Sequence, residues 1–250
     1  MADVKTESVR IQWEMEGATS KRDRYSDLII GRRGWGALMK YELIQLLCYN
    51  MPGALGLLLR SKLYPCLLGS CGKNVVFGTN VVLRHPHKIH LADNVIIDDN
   101  CLLDAKGKDN GGIRIGAGVF VGRNSILSCK NGDIILEDGV NIGFNCEVFS
   151  GSRVVLRKGT LVAAYCYFIG GDHVSADLDQ AVTQQGSQSV GIEVGEACWF
   201  GAGVKVLDSV TIGSHCIVGA GAVVTRSIPE YAVAVGLPAK VVKDRRAPAG

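Results

Sequence analysis

The stretch "IEVGEACWFGAGVKVLDSVTIGSHCIVGAGAVV", residues 192–224, sets Val194, Phe200, Val206, Ile212, Val218 and Val224 six positions apart. A period of six is neither the 3.6 of an amphipathic helix nor the 2 of a half-buried strand. It predicts strands of a few residues joined by tight turns, with three hexads closing one triangular coil. Gly, Asp and Asn, the turn formers, fill much of the sequence between. Stacked coils pair their strands in parallel about 4.8 Å apart. A lone coil cannot bury its inner face, so the stack is the folding unit.

Upstream the same spacing recurs as Leu91, Ile97, Leu103; Ile115, Val121, Leu127; Leu136, Ile142, Val148; and Leu156, Val162, Phe168. A second inward set lies four residues after most of these, including Val95, Cys101, Val119, Ser125, Val140, Cys146, Ser152, Thr160, Cys166, Cys198, Val204, Val210, Cys216 and Ala222. Five of the nine cysteines fall in that set, as small hydrophobes suited to a narrow core. The chain has no CxxC, and its opening "MADVKTESVRIQWEMEG" lacks an apolar signal segment. Reduced thiols in a cytoplasmic protein are expected.

Net charge is +3, too small to argue for nucleic acid, and residues 1–62 carry it all: 10 Lys and Arg against 7 Asp and Glu. The apolar run at 43–59 is interrupted by Asn50, Pro52 and Gly53. It is short and broken for a membrane span, which needs about 20 residues. Residues 35–68 read as two short helices broken at Met51, Pro52 and Gly53, with basic flanks. Two roles stay open for them: a cap over the first coil and a peripheral membrane contact. The division expected is 1–70 as polar arm and helical cap, 71–228 as β-helix and 229–250 as a C-terminal tail.

The first residues of successive triplets are 91, 115, 136, 156, 194 and 212, giving steps of 24, 21, 20, 38 and 18. The excess at 104–112 reads as a surface bulge. The 38-residue step carries "GGDH" (170–173) and a long polar loop at 173–191. Loops beyond about 12–15 residues in a compact fold are usually functional or disordered. An imidazole there is suited to general-base work near neutral pH.

"GGDH", "QQG" (184–186), "IVGAGAVVTRSIP" (217–229) and "AVGLPAKVVK" (234–243) together resemble the left-handed β-helix, hexapeptide-repeat acyltransferases, over residues 75–243. Within that family they look most like the maltose, galactoside and polysaccharide O-acetyltransferases. The resemblance implies an all-β, left-handed parallel β-helix that transfers an acetyl group from acetyl-CoA to a hydroxyl of a glycan, glycolipid or small glycoside. It implies His173 as general base and Trp199 beside the pantetheine arm. Gly201, Ala202, Gly219 and Ala220 would let backbone amides approach that arm, and Gly201–Gly203 are candidates for the oxyanion donor. Thr225, Lys240 and Lys243 match positions at the nucleotide end of CoA. A homotrimer with CoA between neighbouring β-helices is implied too. The acceptor side departs from the pattern: an expected Asn is Gly143, and an expected acidic residue falls on Gly151. Asn145, Ser150 and Gln185 are the acceptor-binding candidates in their place.

A zinc-binding branch shares the fold, and "RHPHKIH" holds His85, His87 and His90. The wide-spaced upstream histidine of that branch is missing, and no metal is expected. A non-catalytic β-helix scaffold and an N-acyltransferase acting on an amino sugar are the alternatives.

Overall fold

The computed structural model describes residues 5–7 and 20–247. Most of the polar arm expected at the N-terminus therefore lies outside the described residues. The rest is a parallel β-helix with three sheets as its faces. The first face stacks Ser70–Cys71, Ile89–Leu91, Ile113–Ile115, Asp133–Leu136, Arg153–Leu156, Ile192–Val194 and Thr211–Ile212. The second runs from Val76–Phe77 through Leu161–Val162 and Trp199–Phe200 to Ala232–Val235. The third runs from Val82–Arg84 through Ile126–Cys129, Glu147–Ser150 and Tyr167–Gly170 to Val223–Val224.

All eighteen hexad residues point inward, none more than 3% exposed. They stack coil on coil, with Phe168 and Phe200 meeting edge to face at 5.3 Å. One coil precedes those read from the sequence: Cys71 pairs with Leu91, Phe77 with Ile97 and Leu83 with Leu103. The turn three residues after an inward residue takes left-handed backbone, mostly at Asn or Gly. Its asparagines join successive coils, Asn74 Nδ2 donating to Asn94 Oδ1 at 3.2 Å and Asn80 Nδ2 to Asn100 Oδ1 at 3.0 Å.

Ser152 departs from the expected inward set and is half-buried. The strand Glu147–Ser150 runs two residues past Val148, so alternation turns Ser150 inward instead. The five core cysteines are buried as expected. Burial holds the Cys101 thiol up at about 11 and raises that of Cys129.

The chain before the solenoid is helical: α1 (Lys21–Tyr25), α2 (Trp35–Cys48) and α3 (Gly53–Leu63). Ser20 caps α1, accepting from Asp23 N at 3.1 Å while its hydroxyl donates to Asp23 Oδ2. The chain breaks between α2 and α3, where Pro52 cannot continue a helix. The two helices close the first coil. Tyr41 Oη donates to Leu83 O at 2.9 Å, and Tyr64 Oη to Val81 O at 3.3 Å. The buried Arg60 guanidinium donates to Phe77 O, Cys48 O and Met51 O at 2.9, 3.1 and 2.7 Å. It thereby satisfies carbonyls at the end of α2 that would otherwise be orphaned. At the other end, Lys240–Asp244 folds back antiparallel on Ala232–Val235 and closes the second face.

Candidate functional site

The long step leaves the stack at the corner between the third and first faces. Strand Tyr167–Gly170 ends there and Ile192–Val194 begins the next coil. The chain re-enters through Gly191, at φ +108, where a Cβ would stand 2.3 Å from Arg153 O. Between them Asp172–His173 pairs antiparallel with Ser187–Ser189, His173 opposite Ser187. A third strand, Lys5–Glu7, pairs antiparallel with the outer side of Ser187–Ser189.

His173 is exposed, and its imidazole has no hydrogen-bond partner among the described residues. Its own backbone N–H donates to Asp172 Oδ1 at 2.7 Å. The ring lines a small pocket of about 50 Å³ with Lys130, Phe149, Ser187 and Gln188. Lys130 and Phe149 were not singled out from the sequence. Lys130 stands three residues after Leu127, the phase that Gly171 holds after Phe168, so the stack brings two widely separated residues to one corner. A larger groove of about 510 Å³ runs along the first face past His90, Arg114, Glu137 and Lys158. None of the site residues expected from the sequence lines it, so the smaller pocket is the better candidate on chemical grounds.

Trp199 lies elsewhere. It stands outward on the second face, 50% exposed, in register with Leu161 and Ile217. That face is the side of the prism opposite the His173 corner, so one chain does not bring the two together. Gly201, Ala202, Gly219 and Ala220 form turns leading from the second to the third face. The amides of Gly201, Gly203 and Gly219 donate to Val218 O, Ala164 O and Ala234 O. Those of Ala202 and Ala220 have no backbone partner among the described residues. Lys240 and Lys243 are exposed on the closing strand, in register with Val235 and Val233. Thr225 is exposed just past Val223–Val224, whose edge meets Gly236 and Ala239. Trp199, the two alanine amides and the two lysines thus gather toward the C-terminal end of the second face.

The acceptor candidates are dispersed. Asn145 takes the left-handed turn position and accepts from Asn124 Nδ2 at 3.2 Å. Ser150 is fully buried, its hydroxyl donating to Asp133 O at 2.8 Å. Gln185 braces the loop from within, accepting from Asp177 N and donating to Asp177 O and Gln180 O.

The rings of His85 and His87 stack at 6.3 Å, while His90 turns to a separate partner. His85 Nε2 lies 2.8 Å from Asp27 O, and His90 Nδ1 3.0 Å from Ser70 Oγ. Burial pushes His87 down to about 4 and lowers His85. Among the described residues, no group of three or more His, Cys, Asp or Glu side chains is placed to hold a metal ion.

Residues 191–226 match the family model described as bacterial transferase hexapeptide (six repeats). The probable acetyltransferase Rv3034c of Mycobacterium tuberculosis is 33% identical over 134 residues, covering 54% of this chain and 45% of that protein. The acetyltransferase-named SACOL2570 of Staphylococcus aureus is 34% identical over 124 residues, covering 42% and 62%. The chain thus spans about half the length of the curated relatives it matches. Among solved structures, AntD, an N-acyltransferase from Bacillus cereus in complex with dTDP and 3-hydroxybutyryl-CoA, superposes with a TM-score of 0.52 at 16% identity. That superposition covers 75% of this chain and 88% of AntD. The chain carries the hexapeptide repeat on a parallel β-helix and is similar to these acyltransferases.

Proposed function

We propose that the protein is an acetyl-CoA-dependent O-acetyltransferase acting on a hydroxyl of a sugar-containing acceptor, in the cytoplasm. The observation that carries the proposal is His173, exposed on the edge strand of a small three-stranded sheet at the rim of a pocket where the coil opens. An acceptor hydroxyl held there gives its proton to the imidazole as its oxygen bonds to the thioester carbonyl carbon. The tetrahedral intermediate then collapses, the C–S bond breaks, and the proton passes to the departing thiolate. General-base help of this kind is worth about 10²–10⁴-fold, and holding two substrates side by side supplies much of the remainder. Ala202 or Ala220 N–H is the oxyanion donor in this scheme, with Trp199 against the pantetheine arm and Lys240 and Lys243 at the phosphates.

The active unit in this reading is a homotrimer. His173 and Trp199 lie on opposite sides of one chain, so a complete site needs a neighbour. The second face also presents an outward apolar column: Val76, Ile96, Phe120, Leu161, Trp199 and Ile217 are in register, interrupted only by Asn141. Val76, Ile96, Leu161 and Trp199 are each 37–50% exposed, a surface that association would cover. Asn145 and Gln185 are the acceptor-side residues to examine, together with Lys130 and Phe149.

His173→Ala tests the reading. Expected is a fall in acetyl transfer of about 10²–10⁴-fold with CoA affinity unchanged. Unchanged turnover overturns it.

A further inference from the structure

We infer that the outer face of α2 and α3 docks onto an anionic lipid surface. The two helices are apolar on both sides. Their inner side holds Tyr41, Ile44, Cys48 and Gly56 buried against the first coil. The opposite side of α2 presents Trp35, Met39, Leu43, Leu46 and Leu47 at helical spacing, and that of α3 presents Leu55, Leu57 and Leu58. These eight side chains are 40–82% exposed. Capping accounts for the inner side alone, since a cap needs a polar outer face for solubility. Isolated exposed leucines need no explanation, but a contiguous set on adjoining helices marks an interaction surface.

The charge around the patch selects the occupant. Within residues 20–68 the exposed cations are Lys21, Arg22, Arg24, Arg32, Arg33, Lys40 and Lys62, and the exposed anion is Glu42. Arg33 is paired with Asp27 and Arg22 with Asp23, which leaves an excess of cations in Lys21, Arg24, Arg32, Lys40 and Lys62. A second copy docking symmetrically through this face would bring one cationic rim against another. A leaflet of anionic headgroups instead complements the rim while its acyl boundary takes the leucines. With 14 and 11 residues, α2 and α3 are too short to cross a bilayer, and no described helix is long and apolar enough to do so. The geometry is that of helices lying in the interface, with the solenoid standing away from it. The inference is independent of the acyl-transfer reading, although a lipid-linked sugar acceptor would join the two.

The test uses the full chain and sucrose-loaded vesicles, either pure phosphatidylcholine or phosphatidylcholine with phosphatidylglycerol. The expected result is co-sedimentation with the anionic vesicles, weakening as salt rises. Leu43→Glu with Leu46→Glu is expected to lower partitioning by about ten-fold or more, and Leu57→Glu with Leu58→Glu to do likewise. All four positions are exposed, so circular dichroism should show both variants folded. Acetyl transfer to a soluble acceptor should be unchanged in both, which separates this test from the fate of the catalytic reading. Failure of the native chain to sediment, or equal sedimentation of the variants, overturns the inference. A drop in solution mass of the variants by light scattering also overturns it, because the face would then be covered by a second copy.

Discussion

Two excursions leave the solenoid at the same corner, between the third and first faces, and they are built in opposite ways. The first, between Leu102–Asp104 and Ile113–Ile115, is tied down. Lys88 Nζ donates to Gly107 O at 2.6 Å and to Asn110 Oδ1 at 2.9 Å, and Asn110 Nδ2 reaches across to Gly132 O at 2.9 Å. Asn110 is buried, and the loop closes over the corner. The second, between Tyr167–Gly170 and Ile192–Val194, is tied only at its ends. Ser189 Oγ donates to Gly170 O at 2.8 Å, and the amides of Val190 and Gly191 donate to Asp208 at 2.8 Å. Residues 175–184 are all exposed, with Val174 half-buried at their base, and their polar contacts are mostly internal. Both re-enter the stack through a glycine with positive φ, Gly112 and Gly191. The same corner thus serves as a sealed bulge in one coil and as an opening in another. What separates them is where the buried polar brace sits, Asn110 within the first loop and Ser189 only at the end of the second.

The contrast can be broken from either side. The largest effect belongs to His173, whose loss should remove catalysis while leaving the fold intact, since its side chain holds nothing in place. Asn110→Ala should do the reverse. Removing it leaves Lys88 without one acceptor and Gly132 O without its donor, at a cost of about 1–3 kcal/mol in stability by urea unfolding. Activity per folded molecule should be unchanged. Gln185→Ala should lie below both, costing less than about 1 kcal/mol because its bonds are solvent-exposed. Its signature should be faster proteolytic nicking within 174–186, which ordinary unfolding would not localise.

A pH series sharpens the comparison at the same corner of the first coil. His85 and His87 are held neutral there by burial beneath the Ser26–Ile30 segment, whereas His173 stands in solvent. A histidine depressed in the fold contributes stability that is complete above its ordinary value of 6.5. That contribution is lost as pH falls through 6.5 toward about 4, because the unfolded chain takes up the proton first. Thermal midpoints should fall across that window, and His87→Gln should flatten the fall.

Much of this was legible in the sequence, and the limits have physical causes. The hexad residues declared the core because an inward position in a narrow prism accepts little but aliphatics and small residues. The long step declared the opening because it interrupts a strict count. The first coil falls within the expected β-helix at 71–228 but outside the hexad count, because Cys71 and its polar neighbours weaken the pattern where the helices cap it. Lys130 and Phe149 escaped because a neighbour across coils is some twenty residues away in sequence, with no local signal. The pairing of Lys5–Glu7 with Ser187–Ser189 escaped for the same reason, over a still longer separation. Of the acceptor-side candidates, Ser150 is drawn into the core and Asn145 is shared with the turn ladder.

The central claim is that a working site is divided between chains, His173 from one and Trp199 from another. Co-expression of differently tagged His173→Ala and Trp199→Glu chains, with purification through both tags, tests it directly. Each variant alone should be inactive. If sites form between neighbours, every trimer that carries both tags has one interface of its three with an intact His173 opposite an intact Trp199, about a third of the native sites. Recovery of activity on that scale is the predicted result. Hybrids as inactive as either parent would contradict it.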